Sequence, residues 1–176
     1  KGPEWINGDD LALITTLNIS GANISDLKGI EVMINLQNLF CSNNAIFELD
    51  VSNSLNLTIL DCSNNNLSIL DVSNMNLESL NVSGNPNLFT VNCVNNKLIA
   101  LDVSNNPTLN NLYFSSNPNL KSVNITGDSY LEELYISETN ISFLDFSTNF
   151  FLNKLTFTDN FSSNLQIDNS IVIQNM

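Results

Sequence analysis

Apolar and polar residues alternate in short bursts that recur every ten or eleven residues along most of the chain. The stretch Leu57-Thr58-Ile59-Leu60-Asp61-Cys62-Ser63-Asn64-Asn65-Asn66-Leu67 states the pattern, and the rest of the sequence varies it. The second apolar residue of successive copies falls at Leu17, Leu39, Leu49, Leu60, Leu70, Leu80, Val91, Leu101, Leu112, Val123, Leu134, Leu144 and Leu155; after a first gap of 22 residues every step is 10 or 11. A fixed short period means a repeat architecture, in which no unit buries its apolar face alone. Within each copy the order leucine, variable, apolar puts two side chains on one side of an extended strand and the variable one on the other. The pattern predicts a solenoid with coils of about 21 residues, each made of a CSNN-type half of 10 and a DVSNN-type half of 11, with strands on both sides.

The asparagines that close the halves (Asn44, Asn65, Asn85, Asn96, Asn106, Asn117, Asn149, Asn160) are expected to bond the turn backbone and stack coil on coil. Pro86, Pro107 and Pro118 follow three of them, in turns where a missing N–H does little harm. Residues 1–16 do not fit the repeat, and Trp5, Ile6, Leu11 and Leu13 are expected to cover the apolar end of the first coil as an N-terminal cap. The array then runs over 17–160. Residues 161–176, with Leu165-Gln166-Ile167 and Ile171-Val172-Ile173 as further strands, read as a C-terminal cap or the start of another domain.

The first unit differs from the others: after the short strand at Leu17 it carries ISDLKGIEVMINL, whose apolar spacing suits a helical or 3₁₀ back side. ISDLKGIE followed by LQNLFCSNNAIFELDVSNSLNLTILDCSNNNLSILDVSN resembles the internalin-type leucine-rich repeats, in the variety with a cysteine ladder and 21-residue repeats, and the exported leucine-rich repeat proteins of the Bacteroidota. The resemblance spans roughly residues 11–160. Together with the periodicity it implies a right-handed, strand-rich leucine-rich repeat solenoid with short 3₁₀ or helical segments, of about six or seven coils stacked at about 4.8 Å. It further implies a secreted or cell-surface protein engaged in binding or adhesion. Ligand residues do not carry over, because members of the family bind different things.

Cys41, Cys62 and Cys93 occupy one inward position of the repeat, where other copies have Val, Ile or Phe, and are expected to be small buried hydrophobes. On neighbouring rungs Cys41 and Cys62 would be within disulfide reach, although parallel side chains oppose the bond. Cys41 and Cys62 are one coil apart, but 31 residues separate Cys62 from Cys93. Either a coil near Met75 is irregular or the cysteines change side, and the sequence leaves both open.

Asp and Glu total 18 against five basic residues, all Lys, with no Arg and no His, giving a net charge of −13. No basic stripe exists to neutralise phosphates, so nucleic acid and anionic membranes are poor partners, and no apolar run is long enough for membrane insertion. The opening Lys1-Gly2-Pro3 has no charged-then-apolar leader, as expected of a mature or trimmed segment. Without His there is no Ser-His or Cys-His pair and no His-bearing metal site; no catalysis, cofactor or metal is expected. An enzyme would have to rely on acids such as Glu132, Glu133 and Glu138.

On the side that carries Cys93 the outward residues are Asn92, Tyr113, Tyr135 and Thr156, flanked by Asn111, Glu133 and Lys154. Tyrosines on successive rungs beside polar groups suit contact with a protein or a sugar, and equally suit cross-strand stacking that stiffens the sheet. Phe40 joins this stripe if the phase resolves onto its side. The opposite side is expected to show Asp102, Asn124 and Asp145, with Asp50, Asp61 and Asp71 earlier, as a solvated acidic face rather than a Ca²⁺ site. The Ser residues 42, 52, 63, 73, 83, 104, 115, 137 and 147 are expected to point outward and serve structure. Phe143, Phe150 and Phe151 are expected to pack between coils, with a small exposed apolar patch as the alternative. The sequence thus reads as an extracellular module that binds a protein partner through one strand face, with a glycan-binding module or a structural spacer as alternatives.

Overall fold

The computed structural model of the protein describes residues 8–128, 130–161 and 166–168. A single helical turn, α1 (Gly8–Leu11), precedes strands β1 (Thr16–Asn18), β2 (Asn38–Phe40), β3 (Ile59–Asp61), β4 (Ile69–Asp71), β5 (Ser79–Asn81), β6 (Thr90–Asn92), β7 (Ala100–Asp102), β8 (Asn111–Tyr113), β9 (Ser122–Asn124), β10 (Glu133–Ser137), β11 (Phe143–Asp145), β12 (Lys154–Thr158) and β13 (Gln166–Asp168). The back side of the first coil holds the expected 3₁₀ turn, Ile30–Val32. β1, β2, β3, β5, β7 and β9 form one parallel sheet, with β11 beside β9 and paired to β13. We call this the acid sheet. β4, β6, β8, β10 and β12 form the second, the tyrosine sheet. The middle residue of nearly every strand and the apolar residue after it point inward, so Leu39, Cys41, Leu60, Cys62, Leu112 and Phe114 are buried in one continuous core.

The apparent slip between Cys62 and Cys93 is resolved by a change of side. Leu39 registers with Leu60, 21 residues on, but Leu60 registers with Leu80, only 20 on. Cys62 therefore follows a strand of the acid sheet and Cys93 one of the tyrosine sheet. This corrects three placements. Phe40 stands in register with Asp61 on the acid sheet and does not extend the tyrosine stripe. Asp71 registers with Asn92, so it and the neighbouring Asp50 belong with the tyrosines, away from Asp102. Along the acid sheet Asp61, Asn81, Asp102, Asn124 and Asp145 then alternate acid with amide, which holds like charges about two rungs apart. All three cysteines are buried unbonded thiols, as expected of inward hydrophobes.

Most half-coils turn in the same way after the inward leucine or valine. An Asp or Asn side chain accepts the N–H of the residue two further on, as Asp50 does from Ser52, Asp61 from Ser63, Asn81 from Ser83 and Asp102 from Ser104. These bonds explain the serine ladder, although Ser42, Ser63, Ser104 and Ser137 are buried rather than outward. The next residue is left-handed, with φ of 55 at Asn43, 53 at Asn64, 57 at Asn74, 56 at Asn95 and 59 at Asn105, which asparagine tolerates. Gly84 takes this place with φ 70, and a Cβ there would overlap the Asn64 side chain.

The closing asparagine follows. The Asn117 amide nitrogen donates to the carbonyl of Phe114 in its own coil at 2.9 Å and to that of Cys93 in the coil before at 3.0 Å, while its oxygen accepts the N–H of Leu98 at 3.1 Å. Asn65 and Asn96 repeat these bonds. Asn44, Asn85 and Asn160 do so with variations in the partner; Asn106 donates only within its own coil, and Asn149 donates to the coil before while its buried oxygen has no partner. Stacking of coils is therefore carried at the corners by a single buried residue type.

Four closing positions after Asn44 lack the asparagine: Ser54 and Thr139 keep a hydroxyl bond to a neighbouring coil, and Met75 and Asp128 break the rule. Met75 stands where the second ladder needs an amide, and it can neither donate to Val51 nor accept from Asn56 in the coil before. Asp128 stands between Asn106 and Asn149 in the first ladder. Its Oδ1 accepts the N–H of Asn106 at 3.0 Å as an asparagine oxygen would, but its buried Oδ2 occupies the place of the amide nitrogen and has no partner. Burial, joined by the charge of Asp102 and opposed by the Asn106 N–H, pushes the Asp128 carboxyl up to about 7.

At the N-terminal end the cap expectation changes in detail. Leu13 is 76% exposed, and Ile14 instead packs against the core; Leu13 sits in the loop after α1, where a one-residue shift turns it away from the coil. Trp5 and Ile6 lie outside the described residues, as do Ile171-Val172-Ile173, whereas Gln166–Asp168 is a strand. Phe150 is 78% exposed and Phe143 half-exposed, so neither is packed between coils; both project from coil corners whose interior is already filled by Leu144 and Leu152.

Two outcomes follow for stability. Replacing Asn117 by Ala leaves several buried backbone groups unpaired, and chemical denaturation should read a loss of about 3–5 kcal/mol; a loss under about 1 kcal/mol would mean the ladder does not hold the coils. For Asp128 the folded carboxyl titrates above the unfolded one, so its stabilising protonated form is complete below about pH 4 and lost as pH rises through about 7. Asp128→Asn should leave the thermal midpoint at pH 3 nearly unchanged and raise stability at pH 8 by roughly 2–4 kcal/mol. Equal effects at the two pH values would contradict the assignment.

Candidate functional site

The tyrosine sheet sets its outward residues by register alone. Asp71, Asn92, Tyr113, Tyr135 and Thr156 form one row, and Ile69, Thr90, Asn111, Glu133 and Lys154 form the row beside it. All seven candidate residues therefore lie together on three or four adjacent rungs. Tyr113 is 48% exposed and Tyr135 50%, with Leu112, Phe114, Leu134 and Ile136 buried on either side of them in sequence. Strand alternation thus pins each ring base in the core wall while its face and hydroxyl end stay in water.

The polar neighbours hold these side chains in place. The Tyr135 hydroxyl lies 3.0 Å from the Thr158 hydroxyl, and the Asn111 amide donates to the Thr90 hydroxyl at 3.2 Å. Lys154 Nζ donates to Glu133 Oε2 at 2.8 Å, with both side chains mostly exposed. Such a pair stabilises by less than about 1 kcal/mol and serves orientation more than stability. Tyr113, Tyr135, Asn111, Glu133, Lys154 and Thr156, together with Asn110 and Glu132, line a shallow depression of about 220 Å³. Small-molecule sites usually occupy about 300–1,000 Å³, so this surface is suited to lie against a larger partner rather than to enclose a ligand.

Chemistry around the face is quiet. Burial pushes the Cys41 and Cys93 thiols up to about 12 and Cys62 well above its ordinary value, so none of them is a nucleophile. Asp50 and Asp145 are held below the usual carboxylate range by the hydroxyl and N–H of the serine two residues on; Asp71 is also held low, partial burial being outweighed by Ser73 and the Asn92 amide. The Glu138 carboxylate accepts the Ser116 hydroxyl at 2.9 Å and that of Glu133 is paired to Lys154. Among the described residues no group of three or more His, Cys, Asp and Glu is placed to hold a metal ion, and no helix is long and apolar enough to cross a membrane.

Two features escaped the sequence reading. Tyr130 stacks on Phe151 of the next coil, ring centroids 5.4 Å apart and planes within 6°, and adds an aromatic pair near the start of β10 and β12. The clue was present, since Tyr130 and Phe151 precede the corner leucines Leu131 and Leu152 by one residue. The other is a groove of about 700 Å³ beside β4, lined by Phe47, Glu48, Asp50, Leu55, Ile69, Asp71 and Met75.

No family model and no curated protein matches the sequence. The functional domain of InlJ from Listeria monocytogenes, described as including a cysteine ladder, is similar at 27% identity with a TM-score of 0.53, over 92% of this chain and 38% of that one. Internalin C2 from L. monocytogenes strain 4b F2365 aligns at 20% identity with a TM-score of 0.40, over 93% and 84% of the two chains. Internalin InlF of that strain aligns at 19% and 0.30, over 90% and 71%. The chain thus spans well under half the length of that InlJ domain. What it shares with it is the fold, a leucine-rich repeat solenoid of about seven turns with parallel strands and almost no helix.

Proposed function

We propose that this domain is a non-catalytic recognition module that binds a protein partner through the tyrosine sheet, in an exported or surface-attached bacterial protein of the internalin-like kind. The observation that carries the reading is the pair Tyr113 and Tyr135: in register on adjacent rungs, half-exposed, and set on a rigid sheet. Tyrosine brings a large amphipathic contact area at little cost in side-chain freedom, and a prebuilt sheet adds little ordering cost on binding. Asn92, Asn111, Glu133, Lys154 and Thr156 supply a polar rim of the sort found around interface anchors. With a net charge of −13, the protein favours neutral or basic partner surfaces.

Binding to immobilised domain, tested against pooled extracellular proteins and a glycan array, checks the reading. A captured protein whose affinity falls by about 2–4 kcal/mol in the Tyr113→Ala/Tyr135→Ala variant is the expected result. A protein held with unchanged affinity removes the tyrosines from the interface. Capture of glycans alone transfers the face to a carbohydrate ligand, and capture of nothing favours a spacer.

A further inference from the structure

The tyrosine sheet stops at β4, although the chain has one more half-coil before it. Residues 47–51 run alongside β4, yet no backbone hydrogen bond joins 47–53 to 68–74. The cause lies at Met75. Every neighbouring ladder asparagine ties its coil to the one before through a carbonyl 23 to 25 residues back, and the thioether makes no such bond; the two coils stay tied by Asn66 N–H to Ile46 C=O and by the Asn76 amide to Leu55 C=O, and between these ties a groove opens. On either side of β4, Ser68 C=O and Val72 N–H bond to the β6 chain, at Phe89 and Asn92. By strand alternation the N–H and C=O of Ile69 and Asp71 face the gap. An open strand edge is a template for another strand, and proteins normally guard one with charge, proline or a bulge.

Here the edge is flanked by apolar surface and acid. Ile69 is 60% exposed, and Phe47 and Leu55 are similarly bare. Glu48, Asp50 and Asp71 stand among them around the same groove. The Asp50 and Asp71 carboxyls are held ionised by their serine caps. Ile69 and Asp71, two residues apart on the outward side of β4, present an apolar and an anionic position in turn.

We propose that this groove docks an extended segment of a partner protein in which apolar and Lys or Arg residues recur two apart, added as a strand to the open edge of β4. The segment takes up the unpaired N–H and C=O groups of Ile69 and Asp71. Its apolar side chains lie on Phe47, Leu55 and Ile69, and its cations face Glu48, Asp50 and Asp71. A second copy of this chain does not supply such a segment, having five Lys against 18 acids. The site is separate from the tyrosine pair and does not rest on it.

The test is fluorescence anisotropy with a labelled peptide repeating Ile-Thr-Lys-Thr, its Ile-Thr-Glu-Thr counterpart, and the lysine peptide N-methylated at alternate residues. The expected result is saturable binding of the lysine peptide alone, weakened tenfold or more by N-methylation. Ile69→Pro removes an N–H that pairs with nothing in the fold and should weaken binding to the same extent. Asp71→Asn keeps the turn cap, as Asn81 and Asn92 do, and should weaken binding several-fold with a shallower salt dependence. Tyr113→Ala/Tyr135→Ala should leave it unchanged. Absence of saturable binding, equal binding of the N-methylated peptide, full binding by both β4 variants, or loss in the tyrosine variant each overturns the proposal, the last by placing the peptide on the tyrosines.

Discussion

A solenoid that turns twice in about 21 residues repeatedly buries backbone groups at its corners, and those groups must be paired. In this protein one asparagine per half-coil does most of that pairing. Its amide nitrogen reaches the carbonyls of two successive coils, and its oxygen takes an N–H of the coil before. Neither a hydroxyl nor a carboxylate offers two donors and an acceptor on a side chain of that length. The left-handed residue before it and the Asp or Asn cap before that exist to deliver the chain to this point, which is why the sequence repeats small polar residues so strictly while its outward positions vary.

The exceptions to the ladder are the places where the protein departs from a featureless rod. Thr139 keeps a bond by passing its N–H and hydroxyl to Asn160. Asp128 keeps half of the geometry and loses the donor, so a proton must stand in for the amide. Met75 loses both halves, and the sheet ends at its own rung, β4, with an open edge and a groove. Of the tyrosine rungs, that of Tyr113 is closed by Asn117 with its corner bonds complete, and that of Tyr135 by Thr139, which is held by Asn160 of the next coil. Stiffness under Tyr113 and Tyr135 and looseness beside Ile69 are therefore consequences of the same rule, obeyed in one place and broken in the other.

Much of this is legible in the sequence. The spacing of Leu60, Leu70 and Leu80 gives the coil, and alternation around Tyr113 and Tyr135 gives their outward direction and common face. What escapes is any property that depends on counting coils of unequal length. A half of 10 and a half of 11 look alike, so whether Cys93, Asp71 or Phe40 shares a side with Tyr113 turns on a single residue between Leu60 and Leu80. Asp128 is hidden because Gly127-Asp128 does not look like the Asn-Asn doublets it replaces, and only stacking aligns it with Asn106. Leu13 and Phe150 lie at an end and a corner, where the period no longer constrains direction.

The account rests on the claim that the ladder decides which rungs are joined and which are left open. Native-state hydrogen exchange read at single amides tests it directly. The N–H groups of Ile46, Leu67, Leu77 and Leu98, each bonded to a ladder asparagine oxygen, should exchange only with global unfolding, as should Val72 N–H at the end of β4. Ile69 and Asp71, in that same strand but facing the gap left by Met75, should exchange orders of magnitude faster. Protection of Ile69 and Asp71 equal to that of Val72, or rapid exchange at Leu77 and Leu98, would contradict the claim.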